Sequence, residues 1–236
     1  MPNVDALSLN LLLAAAALAV THTALGPDHT LPFVMLARAQ RWSRRKTLLV
    51  TALCGLGHVA SSLLLGAIGL ALGFGVAHVT HAEEWRGGLA AWALVLFGVA
   101  YGLWGVRHAI RRKRGLLPHD HHGHVHLHAD GSHSHEHPGP DRSRTTFWAL
   151  FVVFVLGPCE PLIPLFVLPA SRGRLDLALI TALVFSLVTI TTMLVLVGLL
   201  LAGVRQLPLA RLERWSHALA GGVIAASGLA VIFLGL

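Results

Sequence analysis

His22-Thr-Ala-Leu-Gly-Pro-Asp28-His29-Thr-Leu-Pro32 places two imidazoles and a carboxylate inside an apolar run, residues 6–37, that is long enough to cross a bilayer. An Asp facing lipid costs roughly 2.5–3.5 kcal/mol on insertion scales, so ionisable groups at this depth are expected to face the protein interior and to mark a site or a pathway. On an unbroken helix His22 and His29 would sit about 10.5 Å apart along the axis. Two nitrogens bound to one transition metal at about 2 Å each must lie within roughly 4 Å of one another. Pro27 changes the geometry. It has no N–H for the Thr23 carbonyl and its ring clashes there, so the helix is expected to kink or stop and to fold His22 back towards Asp28 and His29. A helical turn opened by Pro27 would hold Asp28 and His29 at its positive dipole end, which suits a carboxylate and a neutral imidazole. That pairing is suited to a borderline divalent metal.

Composition supports a membrane setting. Of 236 residues 55% are hydrophobic and 12% charged, and mean hydropathy is +0.68, whereas soluble domains are about a quarter charged. Apolar runs near 6–37, 47–75, 88–106, 146–170, 176–203 and 217–236 predict an all-α polytopic membrane protein with six spans. Basic residues give the orientation. With the N-terminus outside, 15 of 18 Lys and Arg fall in inside loops, leaving Arg86, Arg172 and Arg174 outside. Both termini are therefore expected outside a bacterial-type inner membrane, and the net charge of +7 reflects cytoplasmic loops rather than nucleic-acid binding. No basic n-region precedes the first apolar run, so no cleavable signal peptide is expected. Cys54 and Cys159 both lie in apolar segments, which argues against a disulfide framework or a CxxC pair.

The sequence is expected to divide into a three-helix repeat at 1–106, a basic, His-rich cytoplasmic loop at 107–145 and a second three-helix repeat at 146–236. In the loop, nine of the nineteen residues from His119 to His137 are histidine, a composition that binds divalent metals by mass action and suits buffering, delivery or sensing. The repeat rests on Leu25-Gly-Pro-Asp-His-Thr-Leu-Pro32 aligning with Leu156-Gly-Pro-Cys-Glu-Pro-Leu-Ile-Pro164 at an offset of 131 residues, a register that nearly persists over the following spans. Halves of three spans each must enter the membrane in opposite senses, which predicts an inverted repeat with broken first and fourth helices meeting near the midplane. Cys159 and Glu160 then occupy the positions of Asp28 and His29. Pro158, Pro161 and Pro164 free the carbonyls of Phe154, Gly157 and Glu160 to seek other partners.

The second run adds His58, expected at the depth of Asp28 and His29 and flanked by the small residues Gly55, Gly57, Ala60 and Ser61, which allow close helix approach. The candidate metal ligands are thus His22, Asp28, His29, His58, Cys159 and Glu160. His78, His81, Glu83 and Glu84 are read as a solvated outside turn.

His22-x5-Asp28-His29, Gly57-His58, Gly157-Pro-Cys-Glu160 and the His-rich loop resemble the nickel/cobalt permease group, most nearly its small urease-accessory (UreH-like) members within the LysE-type superfamily. The resemblance implies a transporter, not an enzyme, moving Ni2+ or Co2+, with Zn2+ also admissible, by alternating access. No prosthetic group is implied; the partners are the metal, the bilayer and a cytoplasmic metallochaperone or metalloenzyme-maturation protein. Classical members have His-x4-Asp-His and usually eight spans, against five intervening residues and six expected spans here. Export of a small anion or other solute on the same fold is the alternative. Related families carry electrons through paired cysteines, and this chain has no such pair.

Overall fold

The computed structural model describes residues 6–113, 142–206 and 210–235; the tract 119–137 lies outside them. Apolar sequence free of internal proline forms single long helices: α1 (Ala6–Leu25), α3 (Arg44–Ala71), α4 (Val76–Lys113), α7 (Leu175–Gln206) and α8 (Ser216–Leu234). These five are long and apolar enough to cross a membrane. The proline-bearing runs give shorter pieces. After α1 comes one turn of 3-10 helix, Pro27–His29, and then α2 (Leu31–Ala39), while the run near 146–170 divides into α5 (Arg142–Leu156) and α6 (Leu162–Ser171). The protein is an all-helical integral membrane protein, with no strand among the described residues.

The fourth apolar run is broken at Pro158 and Pro161, as its prolines predict, into helices of 15 and 10 residues, neither long enough to cross alone. One sequence expectation needs correction. The segment 76–87, read as a solvated turn followed by a span from 88, is already helical. Its charges mask a membrane helix in a hydropathy reading, yet Glu83 and Arg86 stand one turn apart and pair with each other.

Elements of the first half pack mainly on those of the second. α4 lies along α8, α1 against α7, α2 against α8, and α3 against α5, α6 and α7. The α4–α8 approach depends on missing side chains: a Cβ on Gly221 would stand 2.2 Å from the Gly102 nitrogen, and one on Gly98 would stand 2.4 Å from the Ala225 nitrogen. Such small-residue contacts are how helices associate where lipid supplies no hydrophobic drive. Trp85, Leu89, Trp92, Leu96, Val99 and Leu103 form an exposed apolar stripe on the outer face of α4, as a lipid-facing surface requires.

The interior has two apolar clusters. One joins Phe33, Leu36, Cys54, Leu150, Phe154, Met193 and Ile224. The other joins Ala15, Ala19, Val59, Cys159, Ile163, Phe166 and Phe185. The two cysteines therefore belong to different clusters, and both are free thiols.

Candidate metal centre

The first break begins where α1 runs out of donors. The Gly26 N–H still reaches the His22 carbonyl at 3.1 Å, but Pro27 has none to offer, so the chain makes a single tighter turn before α2 resumes. That turn brings the His22 and His29 rings to a centroid separation of 4.9 Å. His58 arrives from α3, 5.2 Å from His29 and 6.4 Å from His22. Gly26 is required for this closure, since a Cβ there would sit 2.4 Å from His29 Nδ1 and 2.8 Å from Asp28 Oδ1.

Hydrogen bonding then fixes which ring nitrogen is available. His29 Nδ1 lies 3.0 Å from Asp28 Oδ1, and His58 Nδ1 lies 3.3 Å from the Phe154 carbonyl oxygen. A carboxylate and a carbonyl only accept, so each Nδ1 carries the proton and donates, leaving a bare lone pair on Nε2. The Nε2 atoms of His22, His29 and His58 are all buried and without a hydrogen-bond partner. One orphaned buried acceptor costs about 1–3 kcal/mol. His29 and His58 each bury such an acceptor, a cost that a bound cation would relieve.

The three imidazoles each offer a ligand atom within 4.8 Å of the others. A common point therefore lies within about 2.8 Å of all three, and each nitrogen needs to close by roughly 0.7 Å to reach a metal–nitrogen bond of about 2.0–2.1 Å. Beside them is a cavity of about 20 Å³ lined by Asp28, His58, Ala90, Leu94, Gly157 and Pro158, the room of one water molecule. Three imidazoles with a water-sized space are the donor set of an open transition-metal site. Asp28, expected as a ligand, is not one of the three grouped residues; it accepts from His29 Nδ1, the place of an outer carboxylate that would orient a metal-binding imidazole.

The second break is built differently. Pro158 and Pro161 leave the Phe154 and Gly157 carbonyls without their usual helical donors. The Phe154 oxygen takes His58 Nδ1–H and the Gly157 N–H, while the Gly157 oxygen accepts from Arg86 Nη2 at 3.1 Å. The Glu160 carbonyl finds the Ile163 N–H at 3.3 Å. Of the candidate ligands here, Cys159 is fully buried in the second apolar cluster and Glu160 is exposed. Neither joins the group of three imidazoles.

Arg86 and Glu83 are residues that the sequence reading missed. The Glu83 side chain is completely buried, and Arg86 Nη2 lies 2.6 Å from its Oε2 and 2.5 Å from Ser62 Oγ, so that its two N–H groups are shared among Glu83, Ser62 and the Gly157 oxygen. Gly87, on the next residue, lets α4 touch the second break, because a Cβ there would stand 2.6 Å from the Pro158 ring. The available signal was a Glu-x-x-Arg pair at one-turn spacing beside a glycine.

The family described as the cytochrome c biogenesis protein transmembrane region matches residues 29–235. No curated protein and no solved structure matches the chain. The family match overturns the resemblance to nickel/cobalt permeases, and with it the transport of Ni2+ or Co2+ as the protein's function. The resemblance was carried by short motifs at the helix breaks. Imidazoles and a carboxylate at a break speak to which ligand is held, and contain nothing that makes an ion cross. The match spans both breaks' downstream helices and all the long helices after α1, far more than half of the chain, and the protein belongs to this cytochrome c biogenesis transmembrane family.

Proposed function

We propose that this protein serves cytochrome c biogenesis from within the membrane by holding a divalent transition metal at His22, His29 and His58. The observation that carries this reading is the grouping of three imidazoles, each with a buried, unpartnered Nε2 and each offering a ring nitrogen within 4.8 Å of the others. An all-imidazole set without thiolate suits Zn2+, Cu2+, Ni2+, Co2+ or Fe2+. When bound, the metal would supply a Lewis-acidic or redox centre beside the small cavity that Asp28 and His58 line. His29 and His58 supply lone pairs directed by Asp28 and by the Phe154 carbonyl, and the apolar surroundings exclude bulk water.

The two halves are proposed to be an inverted repeat. The order of a broken helix followed by two long helices occurs twice, and the halves pack on each other along most of their length. The termini are proposed to lie outside, with the His-rich loop in the cytoplasm.

The test is complementation in a host lacking the gene. Wild type is expected to restore covalently haem-stained c-type cytochromes and His29→Ala to fail although it reaches the membrane at wild-type level. Normal cytochrome maturation by His29→Ala would reject the metal role.

A further inference from the structure

We propose that Arg86 is a positioning residue that holds His58 in its ligand form through the backbone of the second break. This rests on the metal-binding reading of His58 and names what governs it.

Proline frees two carbonyls at the second break, that of Phe154 in the last turn of α5 and that of Gly157 just beyond its end. The first is bonded by His58 Nδ1 at 3.3 Å, the second by Arg86 Nη2 at 3.1 Å. The same guanidinium nitrogen holds Ser62 Oγ, and Ser62 lies one helical turn beyond His58 on α3. Arg86 therefore ties together the two backbones between which the His58–Phe154 hydrogen bond spans. Glu83, wholly buried, fixes the guanidinium in turn.

Little slack remains in this arrangement. Gly157 approaches His58 so closely that a Cβ would stand 3.2 Å from Nδ1. If the end of α5 withdraws, Nδ1 loses its acceptor, and the proton is no longer required to stay on that nitrogen. The imidazole then samples the tautomer with Nε2–H, which cannot bind a metal through Nε2. Lysine is a poor substitute, because a single ammonium on a flexible stem does not reproduce the planar fork.

Removing Arg86 alone leaves the Glu83 carboxylate buried without its cation, so the informative variant is the neutral double substitution Glu83→Gln/Arg86→Gln. Full-length protein labelled with 15N-histidine, in nanodiscs and free of metal, reports the tautomer from the Nδ1 and Nε2 shifts. Wild type is expected to show His58 and His29 both in the Nδ1–H form. In the double variant His58 is expected to become a mixture of tautomers while His29, held by Asp28, stays as it was. Arg86→Lys is expected to give a smaller shift in the same direction. Co2+ affinity at the imidazole site is expected to fall about tenfold in the double variant, at the lower end of losses for partners that orient metal ligands.

An unchanged His58 tautomer in a folded double variant overturns the proposal. The metal-free measurement decides the role of Arg86, whereas absence of Co2+ binding by wild type rejects the metal reading, so the two failures are distinguishable.

Discussion

The two helix breaks share a Gly-Pro opening and then part company. At the first, Gly26-Pro27 is followed by Asp28 and His29, and what the break presents is side chains: two rings at 4.9 Å and a carboxylate at 3.0 Å from one of them. At the second, Gly157-Pro158 is followed by Cys159, Glu160 and further prolines, and what it presents is backbone: the Phe154 and Gly157 oxygens. Each break is completed by α3 or α4 of the first half. His58 belongs to the imidazole cluster on one side and bonds the Phe154 carbonyl on the other. The difference teaches that the first break offers side chains and the second backbone oxygens, so that on the proposed function the first would bind and the second would hold the binder in place.

Substitutions can break or sharpen that contrast. The largest effect is expected from Arg86→Ala, which strands a buried carboxylate and removes the donor to Gly157; the loss of stability should be about 3–5 kcal/mol, read as thermal unfolding in detergent. His29→Ala removes a ligand and should lower Co2+ affinity more than about 100-fold, beyond the range for outer partners. Asp28→Asn leaves the ligand but weakens its orientation, and a loss of about 10–100-fold in the same titration is expected. Gly26→Ala should cost about as much as Asp28→Asn, because its methyl would occupy the space of the Asp28–His29 contact, whereas Gly157→Ala, with 3.2 Å to His58 Nδ1, should cost less. Cys159→Ser should leave Co2+ affinity within about twofold, since the thiol is not among the three grouped ligands. Equal losses from Gly26→Ala and Gly157→Ala would erase the proposed division of labour.

Much of this was legible in the sequence. Pro27 within an apolar run implies a broken helix, and His22, His29 and His58 are conspicuous because ionisable groups in lipid are costly. The prolines of the second break announce freed carbonyls. Which donors answer them was not legible, because His58 and Arg86 lie far away in sequence and reach Phe154 and Gly157 only through the packing of α3 and α4 on the second half. Glu83 and Arg86 were hidden for a more specific reason. Glu83, Glu84 and Arg86 within twelve residues read as a loop by hydropathy, and only the helix reveals that Glu83 and Arg86 neutralise each other in the interior. The function was misjudged because imidazole spacing reports a ligand and not the process it serves. The family match places the chain where that spacing alone could not.

The most direct measurement is X-ray absorption at the zinc edge on protein in nanodiscs, with the nine histidines of residues 119–137 changed to asparagine so that they bind none of the metal. The account predicts one tightly held zinc with imidazole scattering from three nitrogens at about 2.0–2.1 Å, and its loss in His22→Ala/His29→Ala/His58→Ala. Retention of the same zinc by that triple variant, or a first shell dominated by sulfur at about 2.3 Å, would contradict it.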